Sequence, residues 1–349
     1  MNNTELLEKN LPNEALDSDL ILDLENLTIH YEMEFETVKA VNNISIKLRE
    51  GRTIGLVGET GAGKTTTALS LLRLVPEPPG VIKSGTINLC GKDVLKMSIP
   101  ELEKIRGKDI SMIFQDPMTS LNPVFTVGEQ IAESIFLHED LNKTEAYEKA
   151  LDMLELVGIP KSRGAEYPHQ FSGGMRQRVG IAIALACTPK LLIADEPTTA
   201  LDVTIQAQVL DLMRGLKEKY NMAMIMITHD LGIVAEICDE VAVMYAGSIV
   251  EQGNLDEVFN HTLHPYTEGL FNSLPNVNDR ESELKPIPGL MPDPTNLPEG
   301  CAFYPRCAYA LEKCKNTPPK LISADGTHKV SCLAYEDPEF RIKRRQKNG

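Results

Sequence analysis

The chain has 349 residues, 42% of them hydrophobic, and a formal net charge of −15. Such a length accommodates a large globular α/β core plus a smaller appended piece, and the acidic balance excludes the broad basic footprint of a nucleic-acid binder. No apolar run reaches the ~18 residues of a membrane-spanning helix, and the start Met-Asn-Asn-Thr-Glu-Leu-Leu-Glu-Lys is not a signal peptide, so a cytosolic protein that meets a membrane only through partners is expected.

Residues 1–20 read as a polar arm. The first strong signal is the apolar strand 54–57, followed by Gly58-Glu59-Thr60-Gly61-Ala62-Gly63-Lys64-Thr65 and a helical run over 65–74. Strand, G-x-x-x-x-G-K-T loop and helix stand in the order that a phosphate-binding loop requires. Its glycines let backbone N–H groups turn inward at phosphate oxygens, and the helix N-terminus adds its positive dipole end. Lys64 is placed to reach the outer phosphates and Thr65 to ligate Mg²⁺, and Thr66 closes the contact segment. The alternative is an ordinary glycine-rich turn before a helix.

Helix-like segments over 127–137 and 143–157 follow, between Gln115 and Phe171. Ser172-Gly173-Gly174 then precede a helical run at 179–186, which reads equally as a second anion site or as a capped helix start. Leu191-Leu192-Ile193-Ala194-Asp195-Glu196 has the continuous apolar character of a buried parallel strand ending in two carboxylates. Asp195 suits Mg²⁺, and Glu196 suits a general base acting on water. A second apolar strand, 224–227, leads to His229. Residues 253–260 read as turn-rich. Beyond them lie a proline-rich stretch, 286–294, and four of the seven cysteines, Cys301, Cys307, Cys314 and Cys332. Four thiols so close in a reducing compartment suggest a metal site rather than disulfides. Zinc lacks its usual close C-x₂₋₄-C knuckle here, an iron–sulfur cluster tolerates wider spacing, and free thiols remain the third reading. Cys90, Cys187 and Cys238 read as ordinary core thiols, and the basic tail 341–347 as a solvated terminus.

Over about 21–262 these motifs resemble, in kind and order, those of ABC-type ATPases. The resemblance makes Phe171 to Arg178 the signature motif, Gln115 the Q-loop glutamine, Ala200-Leu201-Asp202 the D-loop, His229 the switch histidine and Tyr31, with Phe35 close by, the aromatic that stacks on adenine. It implies a P-loop NTPase core with an antiparallel β subdomain and an inserted helical subdomain, about 116–178. In importers of this family a groove beside the Q-loop, lined here by 116–123, receives a helix of the membrane subunit. It also implies that Ser172, Gly173, Gly174 and Asp202 act on nucleotide held by a second ATPase chain.

The segment Pro298 to Cys307 resembles the C-terminal region of bacterial dipeptide and oligopeptide importer ATPases, some of which hold a 4Fe-4S cluster. The implied protein is an importer ATPase using ATP and Mg²⁺, with 263–349 as an extension carrying the four-cysteine site. Its implied partners are a second ATPase, two membrane permeases and an extracytoplasmic peptide-binding protein at the cell membrane. Import of another solute such as a nickel chelate, or a soluble non-transport ABC ATPase, are the competing functions. The extension follows the last catalytic motif and is therefore expected to organise the assembly, leaving the ATP site independent of it.

Overall fold

The computed structural model describes residues 19–116, 120–199, 201–273 and 286–342; most of the N-terminal arm, part of the run 116–123, Ala200 and most of the basic tail lie outside them. Strands in chain order are β1 (Leu20–Glu32), β2 (Thr37–Arg49), β3 (Thr53–Val57), β4 (Gly80–Leu89), β5 (Lys92–Asp93), β6 (Ile110–Ile113), β7 (Leu191–Asp195), β8 (Ala223–Ile227), β9 (Glu240–Tyr245), β10 (Ser248–Asn254), β11 (Ile322–Asp325) and β12 (His328–Val330).

They form a four-stranded antiparallel sheet, β2-β1-β4-β5, and an eight-stranded sheet, β11-β12-β10-β9-β3-β8-β7-β6. The centre of the larger sheet is parallel, with β3 between β8 and β9, and β7 between β8 and β6. Every residue of β3, β7 and β8 is buried, as their unbroken apolar runs require of strands covered on both faces. This is the α/β core with an antiparallel β layer that the motifs imply. Gly55 lets the helix Leu231–Ile237 and Cys238 lie close on β3, because a Cβ there would come within 3.0 Å of Val234 Cγ1 and of the Cys238 sulfur.

Between β6 and β7 the helices Val127–His138 and Lys143–Leu156 pack together, each opened by a capping box, Thr126 with Glu129 and Asn142 with Glu145. The segment read as turn-rich contains a helix, Leu255–Asn260. Asn254 accepts from the Glu257 N–H at 2.9 Å while Glu257 returns to the Asn254 N–H at 2.8 Å, so polar residues that resemble a turn are here a reciprocal helix start.

The C-terminal segment is not a freely appended piece. Its β12 pairs with β10 and extends the core sheet by two strands. Under that junction Glu251, fully buried, accepts from the Leu263 N–H at 2.7 Å and the His264 N–H at 2.9 Å, and pairs with His328 Nε2 at 2.9 Å.

Candidate functional site

The loop expected to bind phosphate begins where β3 ends. Gly63, at φ 99°, precedes the helix Lys64–Leu71, and a Cβ on it would fall 2.3 Å from the Ala40 carbonyl oxygen; only glycine meets both demands. No side chain caps this helix and its first turn holds no acid, which leaves its N–H groups and dipole to an anion. Lys64 is folded back on the loop, its ammonium donating to the Gly58 carbonyl at 2.7 Å and the Glu59 carbonyl at 3.0 Å. Burial lowers its pKa, while the charges of Glu196, Asp195 and Glu59 oppose the shift.

The acidic strand end faces this loop. Asp195, almost wholly buried at the end of β7, takes a hydrogen bond from Thr65. Burial raises its pKa and that bond opposes the rise. The hydroxyl of Thr65 beside the carboxylate of Asp195 is an all-oxygen pair of the kind that hard Mg²⁺ takes, so these residues fit that ion.

Glu196 sits in the left-handed region, φ 46°, its N–H bonded to the Ile227 carbonyl of β8. That conformation costs a non-glycine residue about 1 kcal/mol or more, and it turns the side chain into a cluster. The Gln115 amide donates to Oε2 at 3.0 Å, the Thr199 hydroxyl donates to the same oxygen at 2.9 Å, and His229 Nδ1 lies 3.1 Å from Oε1. Burial by itself would raise the Glu196 pKa, but the bonds from His229 and Thr199 outweigh it and hold the carboxyl below its ordinary value. Sequence reading missed Thr199, although a hydroxyl three residues after a strand-end acid was a visible signal.

Other expected residues are placed elsewhere. Tyr31, at the end of β1, brings its hydroxyl 3.4 Å from the Thr66 hydroxyl, beside the loop helix, whereas Phe35 is 91% exposed. Ser172 caps the helix Gly173–Leu185, accepting from the Met175 N–H, and Gly174 lies against Ile205. Asp202 caps the helix Val203–Tyr220 through the Ile205 N–H. Both side chains are thus engaged as helix caps rather than in the phosphate-loop cluster. On the helical layer an apolar groove of about 830 Å³ is lined by Phe125, Gln130, Phe136, Leu137 and Tyr147, with Phe125 and Leu137 largely exposed.

The four C-terminal cysteines gather in one region. The Cys301 N–H donates to the Cys314 carbonyl at 2.8 Å, and the charge of Cys314 is felt at Cys301, Cys307 and Cys332. Burial pushes Cys307 to about 12 and Cys332 to about 11. Among the described residues, however, no three His, Cys, Asp or Glu side chains are placed to hold a metal ion. The expected metal centre, iron–sulfur or zinc, thus has no preformed ligand set here.

The extension does touch the phosphate loop, contrary to the expected independence of the two. Arg306 Nη1 donates to both carboxylate oxygens of Glu59, at 3.1 and 3.0 Å, and to the Tyr245 hydroxyl at 3.3 Å. The Tyr266 hydroxyl accepts from the Glu59 N–H at 2.9 Å.

Comparison with known proteins identifies the family. Residues 41–199 match the family model for ABC transporters, and residues 250–314 match that for the oligopeptide/dipeptide transporter C-terminal region. The chain is 48% identical to the oligopeptide transport ATP-binding protein AppD of Bacillus subtilis, over 91% of this chain and 97% of that one. It is 49% identical to the oligopeptide transport ATP-binding protein OppD of Salmonella typhimurium, over 86% of this chain and 90% of that protein. Among solved structures, the dimeric post-hydrolysis state of the ATP-binding cassette MJ0796 bound to ADP and Pi aligns with TM-score 0.61 at 26% identity, covering 67% of this chain and 99% of that one.

Proposed function

The chain belongs to the ATP-binding proteins of the oligopeptide and dipeptide ABC transporters, and from that membership we propose how its residues divide the work of an ATPase that powers peptide import. The observation that carries the reading is the Glu196 carboxylate, held by Gln115, Thr199 and His229 beside Lys64, Thr65 and Asp195. Residues Gly58 to Thr66 cradle the phosphates and Tyr31 stacks on the base. Thr65, Asp195 and Gln115 would hold Mg²⁺, which when bound would neutralise phosphate charge. Glu196 accepts a proton from the attacking water, and His229 orients that carboxylate.

Ser172, Gly173, Gly174 and Asp202 act across a dimer, on nucleotide held by a second ATPase chain. What supports this is that Ser172, Gly173 and Asp202 lie exposed at the starts of two helices, and that the similar cassette MJ0796 is a dimer. Two permeases partner the pair of ATPases on the cytoplasmic face of the membrane, one of them docking on this chain beside Gln115, and an extracytoplasmic peptide-binding protein delivers substrate. Residues 116–123 are expected to line that docking groove, and the apolar groove actually observed is lined from Phe125 onward. For Cys301, Cys307, Cys314 and Cys332 a 4Fe-4S cluster rests on their wide sequence spacing alone, since the described side chains form no preformed ligand set. Anaerobically purified protein should then be brown with about four irons per chain; zinc alone, or no metal, rejects the cluster.

Glu196→Gln is the test of the base. The amide keeps the shape and accepts no proton, so hydrolysis should fall by several orders of magnitude while ATP still binds. Near-normal turnover removes Glu196 from that role.

A further inference from the structure

Glu59 is an awkward residue for a phosphate cradle. It places a carboxylate in a loop whose backbone carbonyls already hold Lys64, and its charge is felt at that ammonium. A free anion here opposes the incoming triphosphate. The structure answers it from 247 positions away, for Arg306 carries a guanidinium whose side chain is only 6% exposed and contacts both Glu59 oxygens.

The guanidinium has further partners through Nε and Nη1. Its Nε donates to the Pro288 carbonyl at 2.9 Å, its Nη1 reaches Tyr245, and its carbon lies 5.8 Å from the centre of the Tyr245 ring. Tyr245 packs with Tyr266 and Phe303 at ring separations of 4.6 and 5.2 Å, and Tyr266 holds the Glu59 N–H. The same segment covers the loop further along, with the Met291 methyl 3.0 Å from where a Cβ on Gly61 would stand. A buried cation so completely engaged toward one carboxylate is a built contact, since an arginine left there unpaired costs several kcal/mol.

We propose that Arg306 is a positioning residue for nucleotide binding, contributed by the C-terminal segment, which neutralises and pins Glu59 so that the phosphate loop meets ATP without an opposing charge. The proposal rests on the reading of residues 58–66 as the ATP site. It also makes the cysteine-bearing segment, in which Arg306 immediately precedes Cys307, a structural determinant of ATP affinity.

The test is the dissociation constant for ATP, titrated on the full-length chain at fixed salt. Arg306→Gln leaves Glu59 unpaired and should weaken ATP about tenfold, the scale of one unit charge at this range in a partly buried site. The deficit should shrink as salt is raised, because screening acts on charge and not on packing. Glu59→Gln added to Arg306→Gln removes the uncompensated anion and should restore affinity to within about twofold of wild type, although it repairs no lost packing. Arg306→Lys, which keeps the charge, should lose less than Arg306→Gln. Wild-type affinity in Arg306→Gln, or a double variant as weak as the single one, overturns the proposal. If Arg306→Gln does not fold, Arg306→Lys decides: ATP affinity within about threefold of wild type supports charge compensation, because the cation is kept, and a loss of about tenfold or more that salt leaves unchanged refutes it. Lys64→Ala separates this from the underlying reading, since unchanged ATP affinity there would mean that the loop is not the ATP site at all.

Discussion

Glu196 stands between two opposed influences, burial that favours its protonated form and donors that favour its anion, and the donors prevail. A proposed base held below the ordinary carboxylate value is ionised throughout the neutral and mildly acidic range, so hydrolysis should not be lost there through Glu196. Thr199→Val removes one donor and leaves burial in place. Its Glu196 pKa should climb, and the acid limb of the ATPase pH profile should move to higher pH while ATP affinity stays put. An acid limb identical to wild type would show that Thr199 does not tune the carboxylate. Lys64 shows the same balance with the sign reversed, for burial works against its charge and three carboxylates sustain it.

At the scale of elements, the joint between β10 and the C-terminal hairpin turns on Glu251. It satisfies two backbone N–H groups and one imidazole nitrogen inside a fully buried pocket. Glu251→Ala strands all three, and the cost of losing one side of a buried pair is about 3–5 kcal/mol. Denaturant unfolding should show a loss of that size, and amide exchange should rise first along 328–330 and 262–264. A change under about 1 kcal/mol would mean that the hairpin is held by its strand pairing alone. The helix Leu255–Asn260 belongs to the same joint, because Glu257 closes its capping box and also accepts from the Thr327 hydroxyl at 2.9 Å.

On the scale of the whole molecule, the proposed hydrolysing cluster and the Ser172-Gly173-Gly174 corner occupy different parts of the chain, the latter on a helix packed against β6 and the inserted helices. The isolated chain should therefore be a poor ATPase that gains turnover with a second ATPase and the permeases. Ser172→Arg should block the site formed with the partner's phosphate loop while sparing ATP binding at Lys64. Full hydrolysis by a purified monomer would refute the shared site. The C-terminal segment bears on the same question through two routes, the sheet pairing of β12 and the contact of Arg306 with Glu59.

What the amino-acid order determined by itself was local. The loop Gly58 to Thr65, the apolar strands with their terminal acids, and the capped helices are each written within about ten consecutive residues, where strand period, glycine freedom and capping chemistry act without help from distant parts. Fold class followed from the order of those pieces. Tertiary structure alone decided which distant groups meet: Gln115 and His229 on the Glu196 carboxylate, and Arg306 on Glu59. It also decided that the C-terminal segment continues the core sheet through β12 and β11 instead of hanging from it. The physical reason is that such contacts join residues tens to hundreds of positions apart, where no periodicity connects them, and that a polar side chain reads the same in sequence whether it faces water or a buried partner across the fold.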